Sequence, residues 1–279
     1  MIRTAKQLKD KIKNISGGDD KISKAYIRVF FMERFMERVS ISEYKNQFIL
    51  KGGMLVSSLL GINVRATMDI DTSVKSLPLN RNDIENIINT ISSIDLDDNI
   101  TFSITNIETI MDDFEYPGER IHLEAHLDMI KQPIKIDIST DDIITPGAIE
   151  YGYKLMFEDR SIQLITYNVE TMLAEKTQTI INRGLANTRM RDFYDIFELT
   201  NHIAFSWDIT ADAFIATCKK RGTIFTIEEI ANTLNLISNS EELENLWTTF
   251  KRKNFFVEDI DYKTLIQVVT DSITRITKG

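Results

Sequence analysis

Between residues 102 and 139 apolar and polar residues alternate in short runs, and beyond Pro146-Gly147 the repeat lengthens to that of a helix. Alternation sends side chains to opposite faces of a strand, whereas apolar residues three and four apart form one helical stripe. Strands are expected over 102–107, 121–130 and 134–139, the last two joined as a hairpin through Lys131-Gln132-Pro133. Long helices are expected over 169–183 and 189–202, and Thr226 with Glu229 fits a capping box. Upstream, the spacing predicts helices over 4–15, 21–39, 54–60 and 82–94, and strands over 48–50 and 65–74. A last amphipathic helix is expected over 265–276. This is an α+β pattern: an α/β lobe with N-terminal helices over 1–150, then a helical C-terminal lobe over 151–279.

The 279 residues suffice for a sizeable core, and 43% hydrophobic with 27% charged residues is ordinary for a globular protein. No apolar run is long enough to cross a bilayer, and residues 1–13 carry no apolar signal core, so a cytoplasmic location is expected. The single cysteine, Cys218, has no internal disulfide partner and reads as a small core residue on a helix. A net charge of −9 argues against non-specific nucleic-acid binding. Local basic clusters remain, at residues 1–38, 219–221 and 251–253, and each alone reads as a solvated face.

The chemistry concentrates around Lys51-Gly52-Gly53 and residues 65–71. On a strand, Arg65, Thr67, Asp69 and Asp71 share one face, while Ala66, Met68 and Ile70 pack on the other. Two carboxylates on one face repel unless a cation binds between them, and such oxygen ligands suit Mg²⁺ or Mn²⁺. Gly52-Gly53, between a strand and a helix, lets backbone amides approach phosphate oxygens. Lys135 and Asp137 share a face by the same rule, and Asp137 offers a third carboxylate, as metal ligand or proton acceptor. Taken singly, each feature is more often structural; their order and placement point to a nucleotide site. A second polar stripe, His122, Glu124, His126 and Asp128, reads better as the solvent face of a sheet than as a zinc site. Whether it shares a face with Asp137 depends on a hairpin register that is left open.

Gly52-Gly53, Asp69-Ile70-Asp71 and Asp137 resemble the polymerase-β-like nucleotidyltransferase superfamily. With "FILKGGMLVSSLLGINVRATMDIDTSV", "IKIDISTDDIITPG" and "ITYNVETMLAEKTQTIINRGLANTRMRDFYDIFEL", the chain is similar to the AbiEii/AbiGii toxin family over roughly residues 25–205. Gly53 stands where many superfamily members have Ser; the family itself commonly has Gly-Gly. The segment beyond 205 carries no assignable motif. The resemblance implies a polymerase-β-like α/β lobe with a helical lobe, and the toxin half of a toxin–antitoxin or phage-abortive system. It implies Asp69, Asp71 and Asp137 at the metal, with Lys135 in the second motif. Lys176 would contact the triphosphate, and Asp192 or Asp195 would form the fourth motif. Gly52, Gly53, Arg65, Thr67 and Arg183 complete the expected nucleotide contacts, Arg183 lying along one helix face with Lys176. The family suggests an NTP substrate, GTP in some members, an RNA acceptor such as tRNA, and an antitoxin encoded nearby that need not bind the toxin. The rival readings are an NTP-binding module without transfer and a metal-dependent nuclease. In the expected triphosphate role, Lys176 does not support the fold.

Overall fold

A computed structural model describes residues 1–75, 77, 80–110, 118–140, 142–257 and 259–278. The chain begins with α1 (Ala5–Ser16), α2 (Asp20–Ile41), β1 (Phe48–Lys51), α3 (Gly52–Leu60), β2 (Ile70–Val74) and α4 (Arg81–Ser92). Five strands follow: β3 (Thr101–Ile110), β4 (Gly118–Leu127), β5 (Ile130–Thr140), β6 (Ile149–Lys154) and β7 (Ser161–Thr166). The helices α5 (Val169–Arg183), α6 (Met190–His202), α7 (Trp207–Lys220), α8 (Ile227–Ser238), α9 (Glu241–Lys253) and α10 (Tyr262–Lys278) complete it.

Two compact units result, and neither is one continuous stretch. The first comprises Met1–Ser58, Ala66–Asp142 and Ile149–Thr166; the second comprises Leu59–Arg65, Ile143–Ala148 and Tyr167–Gly279. A mixed α/β unit and a helical unit match the α+β expectation. The helical character expected from Pro146 begins later, because residues 149–166 supply two further strands to the sheet.

In the first unit the strand order is β3-β4-β5-β2-β1-β7-β6. β2 runs parallel to β5 and β1 parallel to β7; the other neighbours are antiparallel. Ile121, Leu123, Ala125 and Leu127 of β4 and Ile134, Ile136 and Ile138 of β5 are buried, as period-two alternation requires. α2 packs against β5 and β7, burying Phe30, Phe31, Met32, Phe35 and Met36. Each such side chain contributes about 1.5–3 kcal/mol of transfer free energy. Because α2 is buried on nearly every side, its charges are paired inside the protein. Arg38 grips Asp98 with two bonds of 2.8 and 3.0 Å. Both oxygens of Glu33 accept the Met156 N–H at 3.1 Å, and burial pushes this carboxyl up to about 8.

The hairpin turns at Asp128-Met129, not at residues 131–133, and pairs Leu127 with Ile130. Asp128 takes the left-handed conformation there, φ +50°. Pro133 is accommodated inside β5 opposite Glu124, in a stretch with no β2 neighbour, because β2 pairs only with residues 136–140. β2 itself begins at Ile70, five residues later than expected. Met68, expected to pack behind it, is 48% exposed.

In the second unit α5 packs on α6 and α7, and α10 on α6, α7 and α8. Leu173, Ile180, Phe193, Tyr194, Trp247 and Leu265 form its core. Asn168 caps α5 by accepting the Thr171 N–H at 2.8 Å, and the Thr226–Glu229 capping box is present. The basic clusters at 219–221 and 251–253 fall at the last turns of α7 and α9, where cations offset the helix dipole. Cys218 on α7 is half-buried, not a core residue.

Candidate functional site

The proposed site residues fall into two clusters, one in each unit. In the first unit, strand register sets a transverse row of side chains across the sheet. Lys51 is paired with Asp71, Asp71 with Asp137, Asp137 with Arg120, and Arg120 with Glu108. Directly paired residues point to the same face, so two carboxylates lie side by side with a cation on either flank. Arg120 closes on Asp137 with two parallel bonds, Nε to Oδ1 and Nη2 to Oδ2, both 2.8 Å. Lys51 donates to Ser139 Oγ at 2.7 Å and pairs with Asp142. Burial pushes the Asp71 carboxyl above its ordinary value; Asp137 and Asp69 add to this, while the Gly53 N–H and Lys51 oppose it. Asp69 lies just before β2 and is half-buried. Thr67 donates to the Asp69 carbonyl at 3.2 Å.

The Gly52-Gly53 turn serves Asp71 directly. Gly53 N–H donates to Asp71 Oδ2 at 3.2 Å. Gly52 has φ +64°, and a Cβ there would stand 2.1 Å from the same oxygen. Only glycine fits both the backbone conformation and the close approach. Gly52→Ala is therefore expected to displace the Asp71 carboxylate and cut any reaction depending on it by about a hundredfold. Turnover measured beside a thermal melt checks this, and wild-type turnover in the variant would refute the assignment.

Lys135 is exposed, two residues along the same face from Asp137 and opposite His122. The open register question is also answered, since Arg120, His122, Glu124 and His126 share the face of Asp137. His122 bonds Glu108 at 3.0 Å and His126 bonds Glu124 at 2.6 Å, while the apolar residues of β4 are buried behind them.

The second cluster corrects two expectations. Arg65 is not on the β2 face with Asp69 and Asp71. It belongs to the second unit, is 1% exposed, and binds Asp195 through Nε at 2.6 Å and Nη2 at 3.3 Å. Lys176 is not independent of the fold either: its Nζ lies 2.9 Å from Asp192 and 2.7 Å from Asp195. Burial works against the ammonium charge, yet Asp192 and Asp195 outweigh it and hold its pKa above the ordinary value. Asp195 is likewise penalised by burial, but Arg65 and Lys176 lower its carboxyl to about 2. Arg183, at the end of α5, has its pKa lowered by burial and by the neighbouring Arg189 and Arg221.

The model of the nucleotidyl transferase AbiEii toxin family, type IV toxin–antitoxin system, matches residues 34–268. The chain belongs to this family. The AbiEii match extends through α7, α8 and α9 into α10, beyond the segment whose motifs are readable by eye. No curated protein matches the chain. Among solved structures, a candidate nucleotidyltransferase from H. pylori is 15% identical, with a TM-score of 0.48 over 91% of this chain and 95% of its own. JHP933 from Helicobacter pylori is also 15% identical, with a TM-score of 0.49 over 91% of this chain and 92% of its own.

For an AbiEii protein, the donor chemistry of the first cluster suits a hard divalent cation, since Asp69, Asp71 and Asp137 supply only carboxylate oxygen. A cation there would also offset the burial and the neighbouring carboxylates that raise Asp71. Among the described residues, however, no three His, Cys, Asp or Glu side chains are already arranged as a metal cage. Both oxygens of Asp137 are taken by Arg120. Arg120, Ser139 and Asp142 escape a motif-based reading, as do the partners of Lys51. Their partners lie 17 residues apart for Arg120 and Asp137, and 91 for Lys51 and Asp142.

Proposed function

We propose that this AbiEii-family toxin transfers a nucleoside monophosphate from an NTP, GTP among the candidates, to an RNA acceptor such as tRNA. Asp69, Asp71 and Asp137 are the proposed ligands of Mg²⁺ or Mn²⁺, which would neutralise charge developing on the α-phosphate. The observation carrying this reading is the pairing of Asp71 with Asp137 on adjacent parallel strands, over a glycine turn shaped to Asp71. In the transfer, an acceptor hydroxyl oxygen forms the new bond to the α-phosphorus. The bond to the pyrophosphate oxygen breaks, and the hydroxyl proton passes to a carboxylate of the cluster. In the second unit, Asp192 is the proposed fourth-motif carboxylate, since Asp195 is saturated by two cations. Lys176 and Arg183 are the proposed triphosphate contacts, and the cytoplasm is the proposed location. No helix among the described residues is long and apolar enough to cross a membrane. A type IV system supplies an antitoxin partner; that the antitoxin acts without a stable complex is part of the proposal.

Purified protein incubated with each of four α-labelled NTPs, total tRNA and Mg²⁺ tests the reading. Label in the RNA is the expected result. Nucleotide binding without label transfer would favour a sequestering module, and shortened RNA without label would favour a nuclease.

A further inference from the structure

We propose that Arg120 is a resident counter-cation on Asp137 that yields to a divalent ion and then takes a phosphate oxygen of the nucleotide. The inference rests on the reading of Asp69, Asp71 and Asp137 as the cation-binding set. Its starting point is competition of two cations for the same carboxylate. The two 2.8 Å bonds from Arg120 engage both oxygens of Asp137. Each oxygen keeps a second lone pair, but a divalent ion seated on Asp137 would stand close to the guanidinium charge, and that repulsion favours release of Arg120.

The surroundings of Arg120 distinguish it from the most enclosed arginine–aspartate pairs among the described residues. Arg65 with Asp195, and Arg38 with Asp98, have side chains at most 1% exposed. Breaking such a pair leaves a charge stranded away from water. The Arg120 side chain is 31% exposed, so water and neighbouring acceptors can solvate it after release. An alternative partner is already in place, with Glu108 Oε1 4.0 Å from Arg120 Nη1. Glu108 also holds His122 at 3.0 Å, so the patch can share its charge among several groups.

The chemistry of the released group completes the argument. A guanidinium presents a planar fork of donors that fits a phosphate as well as it fits a carboxylate. Arg120 sits one strand away from Asp137 and two from Asp71, on the face that carries both. The electrostatic influence of Asp69 also reaches it. One arginine would thus keep the paired carboxylates compensated before the cation binds and contact the anionic substrate afterwards.

Calorimetric titration of the full chain with Mn²⁺ alone, followed by a non-hydrolysable NTP at saturating Mn²⁺, tests this in wild type, Arg120→Gln, Arg120→Lys and Asp137→Asn. Arg120→Gln is expected to bind Mn²⁺ roughly five- to tenfold more tightly. It is also expected to gain more melting temperature from Mn²⁺ than wild type, and to bind the NTP roughly tenfold more weakly. Arg120→Lys should recover part of the NTP affinity. A merely structural arginine would move the melting temperature without the gain in metal affinity. If Asp137→Asn weakens Mn²⁺ binding while Arg120→Gln leaves it unchanged or weaker, the role of Arg120 is overturned and the cation site stands. If Asp137→Asn leaves Mn²⁺ binding unchanged, the cation site itself is overturned and the Arg120 role with it.

Discussion

Replacing Asp71 by asparagine is expected to lower nucleotidyl transfer by about a hundred- to a thousandfold and to abolish growth inhibition, with the melting temperature held or raised. Asparagine keeps an oxygen to accept the Gly53 N–H and removes the negative charge facing Asp137. The stability half of the prediction has a definite sign. Burial, Asp137 and Asp69 raise the folded-state pKa of Asp71. At a pH between the unfolded and folded values the folded protein therefore binds more protons, and the stability contribution of Asp71 falls as pH rises through that window. The melting advantage of Asp71→Asn over wild type should accordingly grow as pH rises above about 4. Melts at several pH values and a labelled-NTP assay check both halves. Full activity in the variant would remove Asp71 from the chemistry. A melting temperature well below wild type at neutral pH would show that the charge is needed for the fold.

Asp195→Ala should produce the largest loss of stability in the second unit. It strips both Arg65 and Lys176 of a partner, and the three side chains are among the most enclosed charges of that unit. Removing one member of such a cluster costs about 3–5 kcal/mol, a drop in melting temperature on the order of 10 °C. Lys176→Ala should cost less, because Asp195 keeps Arg65. Acid behaviour follows from the same geometry. The Asp195 carboxyl is lowered to about 2 from an ordinary 3.8. Its stabilisation is therefore present above about pH 4 and lost as pH falls towards 2. Asp192→Asn should lower the melting temperature less than Asp195→Ala, since Lys176 keeps Asp195, and should weaken NTP binding or transfer. A stable, inactive Asp195→Ala would exchange the roles assigned to the two carboxylates.

The local part of this architecture is legible from residue order. The glycine turn between β1 and α3, Asp71 on β2 and Asp137 on β5 lie on the expected elements, and α5 spans the expected residues, whereas Asp69 falls just short of the strand expected to carry it. The long-range part is not. A turn at residues 131–133 would put a residue near Leu127 opposite Asp137, whereas the actual turn puts Arg120 there. The difference is an odd number of residues, so it also exchanges the two faces of β4. Arg65 shows the second kind of failure. Its spacing from Asp69 and Asp71 suits a continuous strand, but its guanidinium is claimed by a carboxylate 130 residues away. Pairing energy across such a distance leaves no local periodic trace. β6 is obscured because it exposes most of its residues, leaving little apolar alternation to read, whereas β7 alternates exposed and buried residues and carries a readable strand signal.

The interleaving of the two units affects how the toxin emerges from a ribosome. Residues 59–65 are synthesised early but belong to the unit completed only after residue 167. Arg65 must wait 130 residues for Asp195, roughly ten seconds at ordinary rates of translation. Within that interval the nascent chain presents Asp69, Asp71 and Asp137 in turn, while residues 59–65 still wait for the helices of their own unit. A fragment ending after β7 would carry every proposed metal ligand and still leave Arg65 without Asp195. Nearly complete synthesis thus becomes a condition for a settled protein, and a premature stop in the helical half is expected to yield a chain for proteolysis rather than a smaller toxin.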